Sequence, residues 1–258
     1  MTPNPILISI GPISIRWYGV LIAGGFLLGA FLALREARRQ GWNPDHFLNV
    51  LLVVMPSALV GARLYYVLFN LSYYQRHLAE IPATWLGGLA FHGGLFGALA
   101  ASWFMLRHYR MNYAVALDIG APSIVLGQAI GRWGNFFNQE AYGYAVDKAA
   151  VPWAMMIDGA WRHPAFLYES LWDLAVFAFL LYFRRREWAL KGDVFLAYGV
   201  LYSAGRFWIE GLRTDSLMFL GMRTAQMVSL LMILVCGGIF VYRRRRAQKK
   251  STDESMDE

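Results

Sequence analysis

Ile119-Gly120-Ala121-Pro122-Ser123-Ile124-Val125-Leu126-Gly127-Gln128-Ala129-Ile130 carries no charge, then runs directly into Gly131-Arg132-Trp133-Gly134-Asn135-Phe136-Phe137-Asn138-Gln139-Glu140. The first half reads as part of a helix crossing a bilayer, which needs about twenty mostly apolar residues. The second half places an arginine, two asparagines, a glutamine and a glutamate at the border of the hydrocarbon. Desolvation makes such residues costly there, so they are functional candidates by default. Gly131 and Gly134 allow the backbone beside Arg132 to bend and approach a ligand. The simplest chemistry is an anion site, and the abundant anion of a membrane is the phospholipid phosphate. A polar helix end capped by Asn and Glu is the plainer account, but a cap needs one polar residue and not five.

The rest of the chain supports a membrane reading. It is 57% hydrophobic and 16% charged over 258 residues, where a soluble average has about a quarter charged. Ten Trp, fourteen Tyr and seventeen Phe suit two membrane–water interfaces. The net charge of +7 raises the question of nucleic acid, but the basic residues fall in short runs between apolar segments, and no nucleic-acid partner is expected. The lone Cys236 lies in an apolar run, which excludes a disulfide and keeps the thiol protonated. The N-terminus has neither a basic region before its apolar stretch nor a small-residue cleavage site after it, and is read as retained.

Seven segments qualify as spans: residues 17–34, 47–71, 89–106, 114–130, 166–183, 194–209 and 224–242. The fourth and sixth are the weakest, since both contain polar residues and glycines. Fifteen of the 24 basic residues fall on one side, in Arg35–Arg39, Arg107–Arg110, Arg184–Lys191 and Arg243–Lys250. The positive-inside rule then puts the C-terminus in the cytoplasm and the N-terminus outside. The expectation is an all-α integral membrane protein of seven transmembrane helices, with one catalytic domain over 1–250. A small outer (periplasmic) lobe is expected near 140–164, with a strand in Val151–Ile157 and a turn at Asp158-Gly159. The polar tail 251–258 is expected to be disordered. No inverted repeat of the transporter kind is present.

The remaining polar residues gather toward the outer half of the membrane. His92 opens Phe91-His92-Gly93-Gly94-Leu95 and is placed to exchange protons near neutral pH; close helix packing at the glycines is the alternative. Tyr202, Arg206, Glu210 and Arg213 lie within about an 80° arc of one helix face, which must point into the bundle or a wet cavity. An intrahelical Arg206–Glu210 bridge is the plainer account, and a cavity shared with Arg132 the fuller one. Neither Arg132 nor Arg206 shows a dedicated acidic partner in sequence, although Glu169, one turn into the fifth span behind His163-Pro164, is placed to satisfy the arginines. Arg63 and Asp118, on the second and fourth spans, are read as a structural ion pair. Tyr18 sits at the outer end of the first span. No cluster has metal-ligand spacing, and no phosphate loop or serine elbow is present, so no metal and no cofactor are expected.

The run Gly131-Arg132-Trp133-Gly134-Asn135-Phe136-Phe137-Asn138-Gln139-Glu140-Ala141-Tyr142-Gly143 resembles the hallmark of bacterial phosphatidylglycerol–prolipoprotein diacylglyceryl transferases. The likeness continues, in family order, through Arg16-Trp17-Tyr18-Gly19, Gly61-Ala62-Arg63, Phe91 to Leu95, His163-Pro164 to Tyr168-Glu169, and Tyr202 to Arg213. The resemblance implies the first step of lipoprotein maturation at the bacterial inner membrane, with the active site toward the outer leaflet. The diacylglyceryl group of phosphatidylglycerol would move to the lipobox cysteine thiol of a prolipoprotein signal peptide. A thioether forms and glycerol phosphate leaves. By motif position it implies catalytic roles for Tyr18, His92, Arg132, Asn135, Glu140, Arg206 and Glu210. Substrate-binding roles fall to Arg132, Arg206, Asn135, Asn138, Tyr202, Gly93 and Gly94. Guanidinium groups in a dry site would stabilise charge growing on the departing phosphate, and His92, a glutamate or solvent would take the thiol proton. A lipid or anion transporter would use the same arginines but would need substrate to reach both faces. A membrane scaffold would not need a buried Arg–Asn–Glu cluster.

Overall fold

The computed structural model describes residues 3–11, 13–157, 159–219 and 221–256. In chain order the helices are α1 (Trp17–Arg39), α2 (Pro44–Phe69), the single turn α3 (Leu71–Tyr74), α4 (Phe91–His108), α5 (Tyr113–Asn138), α6 (Ala165–Phe183), α7 (Asp193–Glu210) and α8 (Thr224–Met256). Among the described residues six short strands pair as three antiparallel hairpins: β1 (Ile6–Ile10) with β2 (Ile13–Arg16), β3 (Met155–Ile157) with β4 (Ala160–Arg162), and β5 (Met218–Phe219) with β6 (Met222–Arg223).

Each of the seven expected segments lies on a long helix. Among the described residues five helices are long and apolar enough to cross a membrane: α1, α2, α5, α6 and α8. The two that fall short are α4 and α7. α7 carries Asp193, Arg206 and Glu210 in 18 residues, and α4 is diluted by His92, three glycines and its Arg107-His108 end. Sequence reading placed 114–130 among the weakest segments; α5 meets the standard because the helix extends over 26 residues. Large apolar side chains stand exposed along these helices, among them Leu27, Phe31, Leu52, Leu68, Leu231 and Leu234, as expected where the surrounding solvent is hydrocarbon.

The expected outer lobe contains β3–β4, held by bridges from Gly143 to Arg213 and from Ala145 to Arg162. Its strand is shorter than expected, because residues 151–154 turn first, with the Ala154 amide on the Val151 carbonyl. The expected turn falls partly outside the described residues, which omit Asp158; Gly159 itself has φ of +75°. The N-terminal hairpin was not expected at all. At the other end the backbone of α8 continues to Met256, and Arg243-Arg244-Arg245-Arg246-Ala247-Gln248 are good helix formers that extend it past the apolar span.

The chain divides into two compact units, a larger one of Met1–Leu32 with Leu117–Glu258 and a smaller one of Ala33–Ala116. In the smaller unit α2 starts with Asn43 accepting from the Asp45 amide at 2.9 Å, behind Pro44, an ordinary N-cap. α2 and α4 pack backbone to backbone. A Cβ at Gly61 would strike the Gly93 carbonyl, and one at Gly97 the Ser57 carbonyl.

In the larger unit, Gly25 meets Gly127 and Gly29 meets the Ser123 carbonyl, bringing the start of α1 against α5. The core joins Ala121 and Val125 of α5, Val176, Leu180 and Phe183 of α6 and Val194 of α7, with Phe240 of α8 against it. Cys236 is buried against Gly199, a packing thiol.

Candidate active site

The local build of the larger unit decides where its charges meet. Trp133 Nε1 donates to Ser170 Oγ at 3.2 Å, and Ser170 Oγ donates to the Ala129 carbonyl at 2.9 Å. This laces α5 to α6 one residue away from both Arg132 and Glu169. Trp172 Nε1 donates to the Leu201 carbonyl at 2.9 Å, and its ring lies where a side chain at Gly205 would be. That laces α6 to α7 beside Arg206. Three helices are therefore held in register at one level.

Glu169 is the centre of the result. Its Oε2 lies 2.5 Å from Arg132 Nε, and its Oε1 lies 2.6 Å from Arg206 Nη1 and 3.4 Å from Arg213 Nη1. Glu210 takes the second arm of Arg206 at 2.8 Å and stands 3.9 Å from Arg213. Both carboxylates are nearly inaccessible, and the three guanidinium groups are mostly buried. Tyr202 Oη is 3.5 Å from Arg132 Nη2, the limit of a hydrogen bond. Arg213 is also held at the rim by Asp215, at 2.8 and 2.9 Å. That bond holds the Asp215 carboxyl below the usual carboxylate range.

The two sequence accounts of Arg206 thus meet: it bridges to Glu210 within α7 and to Glu169 across to α6. Arg132 and Arg206 do have an acidic partner, and it is the same one. Each guanidinium is a planar fork of N–H donors.

The end of α5 forms a second knot. Asn135 Nδ2 and Asn138 Nδ2 both donate to Glu140 Oε1, at 3.0 and 3.2 Å. Gln139 and Ala141 adopt φ of +53° and +59°, a conformation costing of order 1 kcal/mol or more for non-glycine residues. This reverses the chain so that Glu140 faces its own helix. Gly143 then passes where a Cβ would lie 2.7 Å from His163 and 2.9 Å from the Leu212 carbonyl. Tyr18 lays its ring over Gly134, which has no room for a side chain, and Trp17 stacks on Phe137 at 4.8 Å.

His92, Gly93 and Gly94 belong to the smaller unit. The His92 ring is tilted against Tyr65 at 6.2 Å and edge-on to Phe91 at 5.9 Å. Gly93 meets the Gly61 carbonyl, and Gly94 lies by that of Ala58.

Arg63 and Asp118, expected as an ion pair, each have backbone partners within their own unit. Arg63 donates to four backbone carbonyls of its own unit. Asp118 accepts from the Gly192 amide at 2.5 Å and the Phe195 amide at 2.9 Å, capping the start of α7 from outside. The cap is needed there because Gly192, in the N-cap place, has no side chain to offer. The backbone amides at a helix start attract a carboxylate as an arginine would.

Two further residues of the site were missed. Asp173, one turn beyond Glu169 on α6, is buried in the field of Arg132, Arg206 and Glu169. The available signal was a pair of acids four residues apart in an apolar helix. Arg223 contacts the carbonyls of Glu210 and Arg213 and the Tyr144 hydroxyl, tying β6 to the end of α7; no motif announced it.

Fold and site together define a polytopic helical membrane protein with a buried arginine–carboxylate centre. Residues 5–242 match the family of prolipoprotein diacylglyceryl transferases, and the chain belongs to that family. It is 48% identical over 256 residues to a phosphatidylglycerol–prolipoprotein diacylglyceryl transferase of Geobacillus kaustophilus, covering 95% of this chain and 94% of the relative. It is 44% identical to the protein of that name from Bacillus velezensis, over 97% and 96% of the two chains. With the Streptococcus pyogenes protein of that name it shares 47%, over 94% and 96%.

Proposed function

We propose that this chain transfers the diacylglyceryl group of phosphatidylglycerol to a prolipoprotein, the first step of lipoprotein maturation. The observation that carries the reading is the convergence of Arg132, Arg206 and Arg213 on Glu169, inside a chain related over almost its whole length to transferases of that name. The acceptor is the lipobox cysteine of the signal peptide. Its sulfur, as thiolate, attacks the glycerol carbon next to the phosphate. The carbon–oxygen bond breaks, a thioether forms, and glycerol phosphate departs with the bonding electrons.

Charge grows on the phosphate oxygens in that step. Arg132 and Arg206 flank the phosphate, and the preorganised donors of a buried site stabilise it best. Asn135, Asn138 and Tyr202 orient the headgroup, with Glu140 holding the two asparagines and Glu210 holding Arg206. His92 takes the thiol proton, and Tyr18 borders the site; Gly93 and Gly94, whose open faces are filled by α2, serve the packing that carries His92 rather than the lipid.

The chain crosses the bacterial inner membrane seven times, with α4 and α7 as the two polar spans, the N-terminus outside and the site toward the outer leaflet. The alternating basic runs support this orientation. Single cysteines introduced at Lys148 and Lys249 test it, because the natural Cys236 is buried: an impermeant maleimide applied to intact cells should label the first position and not the second.

Purified protein, phosphatidylglycerol vesicles and a lipobox peptide test the chemistry. Mass spectrometry should show the peptide gaining one diacylglyceryl group, with glycerol phosphate released in equal amount. A lipid that crosses vesicles while the peptide mass stays unchanged would instead support the transporter reading.

A further inference from the structure

We infer that Arg63 is a positioning residue for His92, acting through the loop that delivers α4. The proposal rests on the reading of His92 as the proton acceptor. Arg63 is buried, at 5% exposure, and its partners are carbonyl oxygens. Nε donates to Ile81 at 2.7 Å and Nη2 to Glu80 at 2.5 Å, at one end of the loop. Nη1 donates to Gly87 at 2.8 Å and Gly88 at 3.1 Å, at the other. One planar group thus pins two stretches of backbone separated by the five residues 82–86, and Tyr74 lies over its face at 5.1 Å from the ring centre.

The loop is shaped for this clamp. Gly87 and Gly88 have φ of +89° and +72°, a region glycine enters without strain. A Cβ on Gly88 would lie 2.5 Å from Arg63 Nη1. Two residues on, the Ala90 amide donates to the Ala62 carbonyl at 3.0 Å, and His92 then rests against Tyr65. Ala62, Arg63 and Tyr65 of α2 therefore set, within one turn, the entry, the loop and the ring contact of His92. A lysine cannot replace the clamp: its single ammonium head cannot span two loop ends as a fork does. A general base must lie within hydrogen-bond reach of its proton, and misplacement by about 1 Å costs on the order of 100-fold.

The experiment is a double-mutant cycle in the full-length protein with phosphatidylglycerol vesicles and a lipobox peptide, normalised to folded protein. Arg63→Met and His92→Asn should each lower kcat and leave the lipid KM unchanged. The double variant should be no slower than His92→Asn alone, since residues acting as one unit are not additive. Arg63→Lys should rescue little. If Arg63→Met folds poorly, Gly88→Ala perturbs the same clamp from the other side and should reproduce the kcat loss. Multiplying defects, or a raised lipid KM at normal kcat, would overturn the proposal. Hydrogen exchange separates its failure from that of the reading beneath it. Faster exchange at residues 87–92 in Arg63→Met, with a fully active His92→Asn, would retain the clamp but refute His92 as base, and with it the positioning role. Unchanged exchange would refute the clamp itself.

Discussion

Arg63 and Arg206 are both guanidinium groups taken out of water, and the chain neutralises them by opposite means. Around Arg63 there are backbone carbonyl dipoles, four of them, taking four of its five N–H donors. Around Arg206 there are two full negative charges, Glu169 and Glu210, each shared with another arginine. The first arrangement is fixed by the path of a loop and has almost no donor left to offer a ligand. The second is held by side-chain anions, whose place a phosphate oxygen can share. The second is the arrangement proposed to hold an anion, and the first the one proposed to act as a clamp.

Removing the hub is the most severe way to break this contrast. Glu169→Gln takes the carboxylate from Arg132 and one of the acidic partners from Arg206 and from Arg213, and loss of one partner from a buried pair costs about 3–5 kcal/mol. Its detergent melting temperature should fall further than that of any other single carboxylate variant in the larger unit. Next is Arg132→Lys, which keeps the charge and loses the fork. The expected loss is roughly 100-fold in kcat, in the range found when one preorganised donor is removed. Near-normal turnover would mean that bidentate phosphate recognition at Arg132 is wrong.

His92→Asn should lower kcat by at least about 100-fold at unchanged lipid binding, as loss of a general base does. A peptide thiol of lower pKa should restore part of the rate; equal defects for both thiols would move the base to Glu140 or Glu210.

A smaller effect sharpens the comparison from the other end. Asp118 caps two backbone amides, so Asp118→Asn, which keeps an acceptor oxygen, should cost only about 1 kcal/mol. A loss of several kcal/mol would restore the ion pair. The smallest effect is at the rim. The folded-state pKa of Asp215 is depressed by Arg213, so its contribution to stability is present above the unfolded value near 4 and is lost as pH falls through the lower folded value. Wild type should melt above Asp215→Asn at pH 6, by less than about 1 kcal/mol for a half-exposed pair, and the gap should close near pH 3.

Much of this was legible in the residues. Apolar runs of about twenty, broken by basic clusters, locate every long helix, since burial of the backbone in hydrocarbon leaves few alternatives to a helix. The run from Gly131 to Gly143 identified the family, and the i, i+4, i+8 spacing from Tyr202 put Arg206 and Glu210 on one face, where they are found. Periodicity could not settle partners. Asp118 was read against Arg63 because opposite charges in apolar segments must be neutralised, yet backbone amides and carbonyls neutralise them equally well, and sequence does not reveal which backbone comes near. Glu169 became the hub only because Trp133 with Ser170, and Trp172 with Gly205, hold α5, α6 and α7 at one level. The sequence by itself determined which segments are helices and which residues are too polar to face lipid. The tertiary structure alone decided what each buried charge touches, because that depends on contacts between helices that are far apart in the chain.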